Sequence, residues 1–117
     1  MYKLELECSF AAAHQLTNAY DEKCNASKHG HNWKVKVAIE AQRLHKNMVI
    51  DFTKVKEVIN FLDHKDLNTI LDFEPTAENL SKYIYDKLAE EMNKLDGFYD
   101  MEVAIWEAEK ASITYRT

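Results

Sequence analysis

The sequence predicts an α+β fold in which an antiparallel sheet carries two helices on one face. Three observations lead there. Apolar residues alternate with period two near both ends of the chain, and they recur at helical spacing in the middle. Breakers are scarce, with 2 Gly and 1 Pro in 117 residues, so element boundaries must come from changes of period. Strands that alternate bury one face, and helices with one apolar stripe are the natural cover for it. The order β-β-α-α-β-β keeps strands and helices segregated.

Residues 2–10, YKLELECSF, open the chain. Tyr2, Leu4, Leu6, Cys8 and Phe10 share one side; Lys3, Glu5, Glu7 and Ser9 share the other. Residues 32–42 repeat the pattern, with Trp33, Val35, Val37 and Ile39 set against Lys34, Lys36, Ala38 and Glu40. A short apolar run, Met48-Val49-Ile50, then precedes Asp51. Asp51 and Thr53 are plausible caps for a first helix, in which Phe52, Val55, Val58, Ile59 and Leu62 form a stripe up to Asp63-His64. Thr76 caps a second helix, whose stripe is Leu80, Ile84, Leu88 and Met92 and which Asp96-Gly97 ends. Residues 101–107 and 112–116 read as two closing strands. The edges of such a four-stranded sheet are open, and open edges invite pairing with another chain. A homo-oligomer joined through its sheets is therefore expected.

The bulk numbers narrow the function classes. A chain of 117 residues, 46% hydrophobic and 30% charged, is expected to fold as a single domain over 1–117. No apolar run is long enough to span a bilayer, and no basic, apolar leader is seen, so a cytoplasmic protein with no membrane partner is expected. A net charge of −5 argues against nucleic acid as a partner but leaves a small-molecule pocket open. The two cysteines, Cys8 and Cys24, are expected to be free thiols.

The stretch KCNASKHGHNWKV, residues 23–35, concentrates a thiol and two imidazoles. In extended backbone His29 and His31 point to the same side, and Gly30 between them leaves room for another group. His14, just past the first strand, would sit opposite them. Three histidines hold zinc with one position open, and nitrogen donors suit zinc better than magnesium or calcium. The competing reading is surface or hydrogen-bonded histidines. Cys24 could act as base or nucleophile beside a metal, given a partner that draws its pKa below the ordinary ~8.5. Otherwise it is a small buried hydrophobe, although Lys23, Asn25 and Ser27 around it are polar. Cys8 is packing. Asp63 could fix the tautomer of His64, or His64 could simply complement a helix C-terminus. His45 reads as solvent-exposed. Glu107 and Glu109 end a strand, where a carboxylate either accepts two N–H groups of a heterocycle or is merely solvated.

Six segments in order resemble the 6-pyruvoyl-tetrahydropterin synthase / 6-carboxy-tetrahydropterin synthase family: FAAAH (10–14), CNASKHGHNW (24–33), VIDF (49–52), LDHKDLN (62–68), PTAENL (75–80) and WE (106–107). The resemblance implies the tunnelling fold, whose β-β-α-α-β-β units close into a trimeric barrel, often stacked as a dimer of trimers. It implies that His14, His29 and His31 bind zinc and that Cys24 is the catalytic thiol. Asp63 and His64 match the proton-relay pair, contributed across a subunit interface. Glu107 matches the carboxylate that anchors the pterin ring, and Thr76, less closely Ala77 and Glu78, the pocket lining. The implied reaction turns 7,8-dihydroneopterin triphosphate into 6-carboxy-5,6,7,8-tetrahydropterin, a queuosine and deazapurine precursor, releasing acetaldehyde and triphosphate. Alternatives within the family are a 6-pyruvoyl or a 6-hydroxymethyl product. Outside it stand a non-catalytic pterin-binding module and a structural zinc protein. The carboxy-forming branch places three residues between Cys and His-Gly-His and the pyruvoyl branch five, whereas Asn25 to Lys28 make four here. A further branch uses a nearby glutamate, for which Glu22 is positioned. Lys23 and Lys28 could meet a triphosphate or be plain solvated lysines. The short loops favour the carboxy-forming branch.

Overall fold

The computed structural model describes residues 1–17 and 28–117. Its two long strands, β1 (Tyr2–His14) and β2 (His29–Ala41), pair antiparallel from Tyr2↔Ala41 to His14↔His29. The first strand therefore runs four residues further than its clean alternation suggested, and His14 is its last residue rather than a loop residue. The reason lies in Ala11-Ala12-Ala13, which carry no polarity contrast for the eye but sit in register with Asn32, His31 and Gly30.

Helix α1 (Phe52–Asn60) follows, with Asp51 as its cap; the Asp51 carboxylate accepts the Thr53 N–H at 2.9 Å. Val55 and Ile59 are buried, and Leu62 buries in the turn beyond. Phe52, expected in that stripe, is 53% exposed because it is the first helical residue and lies outside the packed turn. Asp63 and His64 come after the helix, not in it. The chain then forms a two-residue strand, β3 (Lys65–Asp66), and one helical turn, α2 (Leu67–Ile70). Helix α3 (Ala77–Met92) is capped by Thr76, whose hydroxyl accepts the Asn79 N–H at 3.1 Å. Leu80, Ile84, Leu88 and Met92 are buried as the spacing requires, each contributing about 1.5–3 kcal/mol of burial free energy. Gly97 takes the turn after α3 at φ 105°, where a Cβ would lie 3.3 Å from Arg43 Cβ.

Strands β4 (Tyr99–Ala108) and β5 (Ala111–Arg116) close the sheet in the order β3-β1-β2-β4-β5. The sheet thus has five strands rather than four. The addition is β3, which pairs parallel to β1 at Ala12↔Lys65 and Ala13↔Asp66. Two residues are too few for a periodic signal to mark them as a strand. The register puts Leu4, Phe10 and Ala12 of β1, Trp33, Val35, Val37 and Ile39 of β2, and Met101, Val103 and Ile105 of β4 on the buried side. Cys8 packs at the margin of that core, and burial raises its thiol pKa. The opposite side is a lattice of charges, including Lys36 with Glu5 at 3.3 Å. His45 is half-buried rather than solvent-exposed, because its ring donates from Nε2 to the Asp96 carbonyl at 2.7 Å. Among the described residues no helix is long and apolar enough to cross a membrane.

Candidate metal centre

The site grows out of the sheet's own parity. Even residues of β1 and odd residues of β2 and β4 face the helices. Continuing β1 gives His14 after Ala12. Continuing β2 backwards gives His31 and His29 before Trp33. Continuing β4 gives Glu107 after Ile105. The helices cover the apolar part of this side, and beyond it four polar side chains converge. Ala12, opposite His31, is small enough to leave the imidazoles room. Glu107 stands at a register irregularity between Trp106 and Ala108, where the β4–β5 pairing skips a residue. Such bulges re-aim a side chain.

The convergence is close. His14, His29, His31 and Glu107 each offer a ligand atom, and all of these lie within 4.8 Å of one another. His14 Nε2 lies 3.1 Å from His29 Nε2 and 3.0 Å from Glu107 Oε1; His31 Nε2 lies 3.4 Å from the same oxygen. His14 is fully buried, and its other nitrogen, Nδ1, donates to the Pro75 carbonyl at 2.8 Å. Trp33, also fully buried, holds the rings edge-on, 5.1 Å from His14 and 5.4 Å from His31 between centroids. Its own Nε1–H donates to the Ala12 carbonyl at 3.2 Å.

The electrostatics divide the four groups. Burial works against a charged His14, but the hydrogen bonds to Glu107 and Pro75 outweigh it, so its pKa is raised. Burial dominates at His31 and, helped by the neighbouring His14 and His29, lowers its pKa despite Glu107. The hydrogen bond with His14 holds the Glu107 carboxyl below the ordinary range against the effect of burial. Among the described residues, His31 Nε2 is buried without a hydrogen-bond partner. A buried imidazole nitrogen with no hydrogen-bond partner among the described residues, amid two further imidazoles and a carboxylate, fits a divalent cation. Three nitrogens and one oxygen are the donors that zinc accepts.

The other expected site residues lie elsewhere. Asp63 Oδ1 accepts the Ala11 N–H at 2.9 Å, and the His64 N–H donates to the Ala11 carbonyl at 2.6 Å. The pair therefore docks on the free edge of β1 as the start of the β3 pairing. His64 is held at φ 57°, in the left-handed region, with its side chain 83% exposed. Its Nε2 lies 3.5 Å from Asp63 Oδ2. Neither belongs to the four-residue cluster. Thr76 caps α3 one residue after Pro75, so it adjoins the cluster through the backbone. Lys28 forms an ion pair with Asp66, which lowers the Asp66 pKa. Cys24, Glu22 and Lys23 lie outside the described residues.

Two features escaped the sequence reading. The first is the proximity of Glu107 to the histidines. The signal was available, since Glu107 has the parity of Met101, Val103 and Ile105 and falls on the buried side. The second is the pair of clamps on the tail of β1. Asn68 accepts the Gln15 N–H at 2.7 Å and donates to the Gln15 carbonyl at 2.8 Å, while Glu74 accepts both the N–H and the hydroxyl of Thr17. No local pattern announces such pairings.

Comparison with known proteins follows the same line. The family model described as 6-pyruvoyl tetrahydropterin synthase matches residues 3–117. A relative from Archaeoglobus fulgidus, carrying the provisional name 6-carboxy-5,6,7,8-tetrahydropterin synthase, is 37% identical over 73% of this chain and 74% of its own length. A dihydroneopterin monophosphate aldolase from Pyrococcus furiosus is 36% identical, covering 68% of each chain. The solved structure of the Caenorhabditis elegans 6-pyruvoyl tetrahydropterin synthase superposes with a TM-score of 0.74 at 30% identity, covering 99% of this chain and 95% of that one.

Proposed function

Because the chain belongs to the 6-pyruvoyl tetrahydropterin synthase family, we propose that it converts 7,8-dihydroneopterin triphosphate to 6-carboxy-5,6,7,8-tetrahydropterin, with release of acetaldehyde and triphosphate, and depends on zinc. The observation that carries this reading is the convergence of His14, His29, His31 and Glu107 at the end of the sheet. The three histidines would hold the ion. Bound there, zinc would supply Lewis acidity toward the hydroxyls of the substrate side chain.

The remaining work falls to the chain's own residues. Cys24 takes and returns the proton of the carbon being activated. Asp63 and His64 keep that thiol deprotonated, and their outward position at the edge of β1 suits action on a neighbouring subunit's site. Glu107 accepts two N–H groups of the pterin ring, which fixes its orientation, and Thr76 lines the pocket. The edges of the sheet, β5 on one side and on the other the length of β1 that the two-residue β3 does not cover, favour a homo-oligomer, a trimeric barrel or a dimer of such trimers. A cytoplasmic setting and a role in supplying deazapurine precursors such as that of queuosine complete the reading.

A second reading has its own support. The Pyrococcus furiosus aldolase is 36% identical, and Glu22 stands beside Cys24 in the sequence. That reading ends in a 6-hydroxymethyl-dihydropterin. The experiment is product identification by mass spectrometry, with zinc-loaded wild type beside Cys24→Ala. A carboxy-tetrahydropterin with acetaldehyde, lost in the variant, supports the first reading. A hydroxymethyl or a pyruvoyl product moves the protein to the corresponding branch. Untouched substrate that still binds would make the protein a pterin-binding module.

A further inference from the structure

We propose that Asn79 is a positioning residue for the metal centre, acting through the backbone of residues 74–76 to fix the tautomer and aim of His14. The inference rests on the reading of the histidine cluster as a metal site and says what orients it. Its starting point is the Pro75 carbonyl, 2.8 Å from His14 Nδ1. A carbonyl can only accept. That contact therefore needs a proton on Nδ1, and Nε2, which faces His29 and the Glu107 carboxylate, is the nitrogen that would give up its proton to bind a metal. A histidine ligand's second nitrogen sets which atom binds and where it points.

The carbonyl can do this only if its place is fixed, and three contacts fix the residues on either side of it. The Thr76 N–H donates to the Glu74 carbonyl at 2.9 Å, closing a tight turn around Pro75, the chain's one proline. Proline restricts φ to about −65° and suits the centre of such a turn. The Asn79 side-chain amide donates to the same Glu74 carbonyl at 2.9 Å. The Asn79 backbone N–H donates to the Thr76 hydroxyl at 3.1 Å. Asn79 thus binds the residues on both sides of Pro75 and ties them to the first turn of α3. At the other end the Glu74 carboxylate grips Thr17, three residues beyond His14. The histidine and the carbonyl that orients it belong to one hydrogen-bonded loop that runs through Glu74 and Thr17, and Asn79 ties that loop to the first turn of α3.

Asn79→Asp separates positioning from folding. The substitution removes the amide donor but keeps the backbone N–H, and an acidic residue in the first turn suits the helix dipole. Zinc affinity would be measured by competition with a chromophoric chelator, and the His14 tautomer by nitrogen-15 NMR at alkaline pH, where the ring is neutral. The expected result for Asn79→Asp is zinc binding weaker by about tenfold or more, a mixed tautomer at His14, and an unchanged melting temperature. Asn79→Gln, which restores an amide, recovers part of the affinity. An unchanged affinity with a pure Nδ1–H tautomer in Asn79→Asp overturns the proposal. So does a loss of affinity that only tracks a loss of thermal stability. Wild type that binds no zinc would overturn the metal reading alone, because its tautomer and that of the variant still report whether Asn79 orients His14.

Discussion

Glu107 Oε1 lies 3.0 Å from His14 Nε2, so the carboxylate expected to anchor a pterin ring is in contact with a histidine expected to hold zinc. Two roles are thereby placed on one side chain, and Glu107→Gln separates them. We expect kcat/KM to fall by about a hundredfold, since the charge-assisted hydrogen bonds to the ring contribute roughly 1.5–3 kcal/mol each. We expect bound zinc, measured by atomic absorption, to stay at wild-type content. Loss of zinc instead would identify Glu107 as a fourth ligand and would remove it from ring recognition.

Metal binding should release protons. Burial opposes the charge on His14, yet Glu107 and Pro75 raise its pKa above the ordinary imidazole value of ~6.5, so it keeps its second proton to a higher pH than a free imidazole. Burial shifts His31 the other way, so it loses its proton at a lower pH than a free imidazole. Zinc affinity should therefore weaken as pH falls through the raised His14 pKa, by up to about one decade per unit for the single His14 proton. Calorimetry in buffers of different ionisation enthalpy would report proton release on zinc binding that grows as the pH is lowered toward the His14 pKa. Release of none would contradict the raised His14 pKa.

Zinc should also stabilise the fold, because the three histidines come from two strands that must be in register to meet. At free zinc near 100 times Kd the gain is about 2.7 kcal/mol. Scanning calorimetry with and without chelator would show an upward shift in Tm that His31→Ala abolishes. An equal Tm in both would mean that the cluster does not bind the ion.

Asp63 carries a structural duty beside the catalytic one proposed for it, and two substitutions tell them apart. Asp63→Asn keeps an oxygen for the Ala11 N–H, now accepted at 2.9 Å, so stability should change by less than about 1 kcal/mol. Turnover should still fall by roughly 10²–10⁴-fold, because the charge that supports His64 is gone. Asp63→Ala should lose the same activity and an additional 1–3 kcal/mol or so in denaturant unfolding. Full activity in Asp63→Asn would exclude the relay.

The proposal that the exposed His64 acts on a neighbouring subunit's site is open to a complementation test. Mixing Cys24→Ala with His64→Ala, each inactive alone, should restore part of the activity after unfolding and reassembly. Mixed oligomers that remain inactive would place both residues in the same subunit's site.

What the sequence determined is what repeats along the chain. Period two in residues 2–10 and 32–42 and period 3.6 in Leu80, Ile84, Leu88 and Met92 follow from burying one face of an element, and they read correctly without any partner. The Thr76 cap and the His29-Gly30-His31 spacing are equally local. The ends of elements were not legible in the same way, because Ala11-Ala12-Ala13 and Lys65-Asp66 become strand only through the partner that hydrogen-bonds them. The same holds for the candidate centre. That His14 and His29 face each other depends on a register set along the whole β1–β2 ladder, and the closeness of Glu107 to them depends on the β2–β4 register that sets β4 beside β2. The contact between His14 and Pro75 joins residues 61 apart, which only the packing of α3 against the sheet can bring together. Tertiary structure decided these points because hydrogen-bond partners distant in sequence leave no periodic trace in the residues that find them.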